Sequence, residues 1–256
     1  MSEEILSLTP PPADHRVPYG TDSNQFGDLR IPKSGGPVPV VMNIHGGFWR
    51  AKYDLQHAGH LCAALTKTGI ATWNVEYRRV GNVGGGWPGT FEDIGSAFRF
   101  LPQIAKRYKL DVSRALVMGH SAGGQLALCL AAHESSVTRV VSLGGVVDLQ
   151  KAFELHLSND AVVEFLGGKP AEVADHYHEA DPMQVVTKAR QVLIHGGKDE
   201  VIPPSFSRDY VNAKRAKGED ARLAEIAQAD HFDLIDPRSE AWKQVETSVT
   251  GLLELR

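Results

Sequence analysis

A serine stands in a pattern that is typical of an enzyme nucleophile. Residues 119–123 read G-x-S-x-G, with Ser121 at the centre. The apolar run 115–118 before it predicts a buried strand, and residues 122–132 after it predict a buried helix. A serine on so sharp a turn needs small neighbours, which Gly119 and Gly123 supply. The turn would project the Ser121 hydroxyl from the sheet edge, beside the N–H groups of the helix N-terminus.

An activated serine needs a histidine base and a carboxylate that orients the base. Asp199 and His231 follow two late predicted strands, in loops that would lie on the same sheet edge as Ser121. Glu200 and Asp230 are the competing carboxylates, whereas only His231 among the 11 histidines follows the last predicted strand. We predict Asp199 and His231 because the chain order serine, acid, histidine is that of hydrolases with this turn.

Backbone amides must also stabilise the negative charge that develops on a substrate oxygen. The amide of Ala122, directly after the serine, is one predicted donor. The glycine-containing turn at 45–49, after the first long apolar strand, would supply the others. Gly47 and Phe48 are the preferred donors and Gly46 is a further candidate. The alternative is an ordinary turn after a strand.

The predicted strands and helices alternate, which favours a parallel sheet with helices on both faces. The predicted strands are 38–44, 70–75, 115–118, 139–143, 191–194 and 221–227; the predicted helices are 55–68, 91–108, 122–132, 204–217 and 239–255; an N-terminal hairpin would pair 16–19 with 28–31. The segment 148–182 is too long for an ordinary connection between two elements, and we interpret it as a small cap-like helical insertion over the site. The whole chain, 1–256, is predicted to be one α/β domain.

The composition is that of a globular protein and excludes several other classes. Apolar residues make up 42% and charged residues 23%, as in ordinary soluble domains. The formal net charge is −4, and no basic run points to nucleic acid or to an anionic membrane surface. Neither a signal peptide nor a membrane span is expected, so the expected location is cytoplasmic. The sequence leaves the oligomeric state open, with a homodimer as one option.

The three motifs together resemble the α/β-hydrolase fold family from about residue 16 to residue 255. Residues 45–49, H-G-G-F-W, and 119–124, G-H-S-A-G-G, are similar to the esterase and lipase group. With residues 230–233, they most resemble kynurenine formamidase (arylformamidase)-like hydrolases and related small carboxylesterases. The resemblance implies an α/β-hydrolase fold and a triad of Ser121, Asp199 and His231. Phe48 replaces the third glycine of the H-G-G-G lipase pattern, which argues against bulky tertiary-alcohol esters.

These observations predict a serine hydrolase that uses no metal or cofactor and cleaves small carboxylic esters through an acyl-enzyme. Hydrolysis of an aryl formamide, an activated amide, is the alternative. A non-catalytic binding protein is a further alternative, disfavoured because all three catalytic residue types are present. Ser121 also argues against dehalogenase and epoxide hydrolase chemistry, which would need aspartate at this position.

Several other residues carry weaker expectations. Trp49 and Trp87 are candidate pocket residues for an aryl or acyl group, although packing against the sheet edge explains Trp49 equally well. Glu76 and Arg78 are expected to form a structural ion pair. We interpret His195 as a packed residue at the end of a strand.

Overall fold

The computed structural model describes residues 2–33 and 36–254, and its centre is a sheet of eight strands. These are β1 (His15–Pro18), β2 (Phe26–Arg30), β3 (Val38–Ile44), β4 (Ala71–Val75), β5 (Leu110–His120), β6 (Arg139–Leu143), β7 (Arg190–Gly196) and β8 (Ala221–Ile226). Their spatial order is β1-β2-β4-β3-β5-β6-β7-β8. The pairs β1–β2 and β2–β4 are antiparallel and the others are parallel. The predicted hairpin and parallel sheet are therefore both present.

Helices cover both faces of the sheet. They are α1 (Gly59–Lys67), α2 (Gly89–Tyr108), α3 (Ala122–His133), α4 (Leu149–Glu154), α5 (Ala161–Leu166), α6 (Ala174–Ala180), α7 (Ser205–Ala216) and α8 (Trp242–Leu252). Apolar residues of α1 and α8 form one core layer, and those of α2, α3 and α7 belong to the other. Strand β3 contributes side chains to both core layers, because successive strand side chains point to opposite faces of the sheet. Val40 and Met42 pack in the layer with α2, α3 and α7, and Val41 packs in the layer with α1 and α8.

Three predicted elements differ from the structure by more than two residues or by division into two. Strand β5 begins at Leu110 rather than at residue 115, because residues 111–114, of which only Val112 is apolar, lie at a shift in its register with β3 and interrupt the apolar pattern. The predicted helix 55–68 is divided into a 3-10 turn, Leu55–Ala58, and α1. The predicted helix 239–255 is shortened to α8, and residue 255 lies outside the described residues.

The parallel strands bring the predicted motifs to one edge of the sheet. The turn at 45–49 follows β3, Ser121 follows β5, Asp199 follows β7 and His231 follows β8. The segment between β6 and β7, expected to be helical, contains α4, α5 and α6. Among the described residues, no helix has the length and apolar character needed to cross a membrane.

Candidate active site

The turn that carries Ser121 is built by close backbone contacts. Ser121 has φ 55° and ψ −120°, in a region that non-glycine residues rarely occupy and that costs of the order of 1–3 kcal/mol. Its amide donates to the carbonyl of Leu143 at 2.8 Å. A side chain on Gly119 would overlap the carbonyl of Gly123, and one on Gly123 would overlap the carbonyl of Ile44. Backbone packing therefore leaves no room for a side chain two residues before or two residues after the serine.

Asp199 and His231 lie in direct contact. His231 Nδ1 donates to Asp199 Oδ2 at 2.7 Å, and both side chains are buried. The other carboxylate oxygen, Oδ1, accepts from the amides of Val201 at 2.9 Å and Ile202 at 2.8 Å. Asp199 is thus fixed by its own loop. It holds the imidazole with Nε2 free to act as a base.

The hydrogen bonds to Asp199 outweigh the effect of its burial. Burial alone would raise the pKa of this carboxyl, because it disfavours the charged form. Hydrogen bonds from His195 and His231 and from the Ile202 amide favour the charged form, and they hold the pKa of Asp199 well below its usual range. Asp199 is therefore a carboxylate at neutral pH, as an orienting acid must be.

The loop after β3, residues 45–49, presents free amides beside the serine. Gly47, Phe48 and Trp49 all have positive φ, at 110°, 48° and 58°. A side chain on Gly47 would also meet the Tyr53 ring. In the described part of the chain, the amides of Gly47, Phe48 and Ala122 have no hydrogen-bond acceptor. These are the three donors preferred from the sequence, and they are available to a developing oxyanion.

A buried polar network holds this loop from behind. His45 Nδ1 donates to the Gly46 carbonyl at 2.8 Å and His45 Nε2 contacts Glu76 Oε1 at 2.9 Å. His45 stacks on Tyr77, with ring centroids 4.5 Å apart, and the Tyr77 hydroxyl donates to the His45 carbonyl at 2.8 Å. Arg79 Nη1 completes the network at 3.2 Å from Glu76.

The expected ion pair between Glu76 and Arg78 is wrong. Glu76 turns inward to His45 and Arg79, and their charges hold its pKa below the usual value although burial opposes this. Arg78 instead pairs with the buried Asp93 on α2 at 2.6 Å. The two side chains leave the end of β4 in different directions, so their closeness in sequence does not bring them together.

Four of the predicted residues, Gly47, Phe48, Ser121 and His231, line a cavity of about 220 Å³. It is lined by Glu3, Leu6, Gly47, Phe48, Tyr53, His57, His120, Ser121, Ser158, Val201, His231 and Phe232. Ser121 and His231 share this cavity, although no hydrogen bond joins the hydroxyl to the imidazole among the described residues. Catalytic hydrogen bonds of this kind often tighten only when substrate binds. Gly46 and Ala122 lie behind the lining residues.

Sequence reasoning missed half of the cavity wall. Glu3 and Leu6 come from the N-terminal 3-10 helix Ser2–Leu6, Tyr53 and His57 from the segment before α1, and Ser158 from the segment between α4 and α5. None of them lies in a motif or an apolar periodicity, so no sequence signal identifies them. For Val201, the closeness to Asp199 in the chain was the available signal.

Trp49 and Trp87 do not line this cavity, which corrects their candidate role. Trp49 is buried and stacks on Phe165 at 4.5 Å, and its Nε1 donates to Gln125 Oε1 at 3.0 Å. Trp87 stacks on Phe91 and meets Phe165 edge-on. Both rings pack against Phe165 of α5. Their role is therefore to pack α5 against the rest of the protein, and they do not contact a ligand in this cavity.

Arg50, directly after the loop, connects it to the helical segment between β6 and β7. Its Nε donates to Glu164 at 2.7 Å, Nη1 to the Ser158 hydroxyl at 3.0 Å and Nη2 to the Asn159 carbonyl at 3.3 Å. Ser158 and Asn159 have left-handed φ of 50° and 54°. Arg50 thus holds a strained loop against the cavity wall.

Comparison with known proteins gives one family match and several relatives. The BD-FAE family model matches residues 28–213. Esterase LipC of Mycobacterium tuberculosis is 27% identical over 247 residues, which cover 86% of this chain and 60% of LipC. Kynurenine formamidase of Danio rerio is 21% identical over 236 residues, which cover 86% of this chain and 75% of that protein. The chain therefore spans less of LipC than two thirds of its length.

Solved structures show the same architecture. Esterase B from Lactobacillus rhamnosis superposes with a TM-score of 0.82 at 19% identity. The alignment covers 99% of this chain and 91% of the esterase B chain. A truncated carbohydrate esterase from gut microbiota superposes with a TM-score of 0.83 at 22% identity. This alignment covers 96% of this chain and 100% of the carbohydrate esterase chain. At these identities the likeness concerns the fold, and the predicted α/β-hydrolase fold is confirmed.

Proposed function

This chain belongs to the BD-FAE family, and on that premise we propose that it is a serine hydrolase that cleaves small carboxylic esters through an acyl-enzyme. The observation that carries the proposal is the set of groups at one cavity. Ser121 lies on a strained turn, His231 is held by Asp199 at 2.7 Å, and the amides of Gly47 and Phe48 find no acceptor among residues 2–33 and 36–254. This set matches the requirements of nucleophile, base, orienting acid and oxyanion donors.

The proposed reaction has two steps. His231 Nε2 takes the proton of Ser121 as Oγ attacks the ester carbon, and the amides of Gly47, Phe48 and Ala122 stabilise the oxyanion. As the tetrahedral intermediate collapses, His231 gives the proton to the departing alcohol, which leaves an acyl-serine. Water then loses a proton to His231 and attacks the acyl carbon. As this second intermediate collapses, the bond to Ser121 Oγ breaks, His231 returns the proton to Oγ, and the acid leaves. Asp199 keeps His231 in the correct tautomer and stabilises its imidazolium throughout.

Hydrolysis of an aryl formamide is the second candidate, and the kynurenine formamidase relatives favour it. The same groups would serve, with His231 protonating an aromatic amine instead of an alcohol. We also propose that residues 148–182 act as a small cap, a proposal supported by Ser158 on the cavity wall and its contact with Arg50. The proposed location remains cytoplasmic.

The experiment compares kcat/KM on p-nitrophenyl acetate, p-nitrophenyl octanoate and N-formylkynurenine. Ser121→Ala is the test variant, and Ser136→Ala, at an exposed serine, is the matched control. We expect wild type and Ser136→Ala to prefer the acetate ester, and Ser121→Ala to lose at least ~10³-fold, as in other serine hydrolases. A tenfold preference for N-formylkynurenine would favour the formamidase. Full activity in Ser121→Ala would contradict the mechanism, and an inactive wild type would favour a binding protein.

A further inference from the structure

A second buried histidine, His195, contacts the carboxylate that orients His231. It lies in β7 and is fully buried. His195 Nε2 is 2.9 Å from the Ile202 carbonyl and 3.3 Å from Asp199 Oδ2. A carbonyl oxygen only accepts, so Nε2 carries a proton and donates it to Ile202, with Asp199 Oδ2 as a second and longer contact. On the other side of the ring, Nδ1 is 2.7 Å from the Ser207 hydroxyl of α7, which can donate to it.

The Oδ2 atom of Asp199 is therefore shared by two imidazoles. His231 Nδ1 approaches it at 2.7 Å and His195 Nε2 at 3.3 Å, while two amides occupy Oδ1. A hydrogen bond that stabilises a carboxylate also reduces the charge that it offers to its other partners. The sharing thus bears directly on how strongly Asp199 stabilises the His231 imidazolium.

We propose that His195 is a positioning residue for the reaction: by donating to Asp199 Oδ2 it fixes the carboxylate and limits its stabilisation of the His231 imidazolium. This inference rests on the proposed serine hydrolase function. The polar groups around the ring are the Ser207 hydroxyl on one side and the Ile202 carbonyl and Asp199 on the other, so both ring nitrogens have partners although the side chain is fully buried.

The other titratable groups around the pair are accounted for. The His120 ring lies 4.5 Å from that of His231, and its Nε2 donates to the His231 carbonyl at 3.0 Å. Burial holds the pKa of His120 well below its usual value, so this ring is neutral. His57 and Glu3 face His231 across the cavity, Lys198 and Glu200 flank Asp199 in the chain, and Glu225 of β8 stands beside His195 in register.

The consequence is a direction of change in the pH profile. Without the His195 donor, Asp199 would offer more of its charge to His231, and the imidazolium would persist to higher pH. Since the base must be neutral to take the serine proton, the acid limb of kcat/KM would move to higher pH. A merely structural role for His195 would instead lower the whole profile without moving this limb.

The test uses three full-length variants and p-nitrophenyl acetate as substrate. His195→Leu removes the donor, and His195→Gln keeps an N–H donor at nearly the same place. Ser207→Ala keeps the ring but removes the hydroxyl that holds its Nδ1 side in place. We expect the acid limb of His195→Leu to move up by about 0.5 pH unit or more, that of Ser207→Ala to move less in the same direction, and that of His195→Gln to remain near wild type. If the acid limb of the kcat/KM profile stayed at its wild-type pH in both His195→Leu and Ser207→Ala, the proposal would be overturned. If His195→Leu does not fold, Ser207→Ala decides.

A measurement that needs no turnover separates this inference from the proposed function. The proton between His231 Nδ1 and Asp199 gives a far-downfield proton NMR resonance that can be followed against pH in Ser121→Ala. Adding His195→Leu to this background is expected to move the resonance and the pH at which it titrates. An unchanged resonance would reject the role of His195 even if the enzyme is active. A wild type without esterase activity would reject the proposed function while this resonance still decides about His195.

Discussion

The nucleophile turn and the loop after β3 meet at Ser121, but different forces hold them. At the turn, backbone packs against backbone, and side chains on Gly119 or Gly123 would overlap carbonyl groups. The loop at 45–49 is held by side chains instead, through the bond from His45 to Glu76 and the bond from Trp49 to Gln125. Both regions carry residues with positive φ, so both need their surroundings to maintain the geometry.

This difference predicts how the structure of each region should respond to amino-acid substitution. A backbone contact cannot relax, so a single added methyl group in the turn should disrupt it entirely. A side-chain network can lose one member and keep its shape in part, so the loop should fail by degrees. Three substitutions test this contrast.

The largest effect is expected for Gly119→Ala. The added Cβ would overlap the Gly123 carbonyl, where no flexible side chain can give way. We expect destabilisation of ~3 kcal/mol or more, above the usual range for overpacking, together with loss of esterase activity. Chemical denaturation and kcat/KM would measure both.

The matched control for this substitution is Gly251→Ala in α8. A Cβ there meets nothing within 4 Å, so the change should be neutral or slightly stabilising, since alanine favours helix. A Gly119→Ala protein with wild-type stability and activity would show that the turn is not closed to side chains.

An intermediate effect is expected for Glu76→Gln in the network behind the loop. Glutamine keeps hydrogen-bonding atoms but removes the negative charge that Arg79 and His45 share, and hydrogen bonds to a charged group typically contribute ~1.5–3 kcal/mol. We expect kcat to fall by about 10²-fold, comparable to the loss of one oxyanion donor, with KM little changed. Asp209→Asn, in the exposed pair with Lys151, is the control and should cost less than ~1 kcal/mol. An unaltered kcat would show that the loop does not depend on the network.

The smallest effect concerns His57, which packs edge-on against His45 with ring centroids 5.7 Å apart. Burial and the neighbouring His45 lower the pKa of His57 to about 3. In the unfolded chain a histidine has a pKa of about 6.5, so below that pH the unfolded state binds a proton that the native state refuses. Stability should therefore be lost as pH falls from about 6.5 toward 3, by up to ~1.4 kcal/mol per pH unit from this residue.

His57→Gln tests this dependence by removing the titrating group. Relative to wild type, its free energy of unfolding should improve between pH 7.5 and pH 4.5, by about 1 kcal/mol or more. His178→Gln, at an exposed histidine, should follow wild type at both pH values. If the free energy of unfolding depended on pH in the same way in His57→Gln and wild type, His57 would bind its proton equally well in the native and unfolded states, which would contradict the prediction.

The sequence by itself determined the elements whose signals are local. The run of β3 was predicted with the bounds that the structure has, because a strand buried on both faces is nearly all apolar, here with Asn43 as the one polar residue. The glycines around Ser121 marked the sharp turn, and the order of Asp199 and His231 after late strands placed them on the same edge. Parallel strands end on one side of a sheet, so this placement follows from connectivity alone.

Only the tertiary structure decided which side chains meet. It turned Trp49 onto α5, joined Glu76 to His45 rather than to Arg78, and brought Glu3 of the N-terminal helix to the cavity. His195 likewise gained its contact with Asp199 only when β7 and the loop after it packed together. These contacts depend on the direction in which each side chain leaves its element and on neighbours far away in the chain. Local residue patterns carry no information about either.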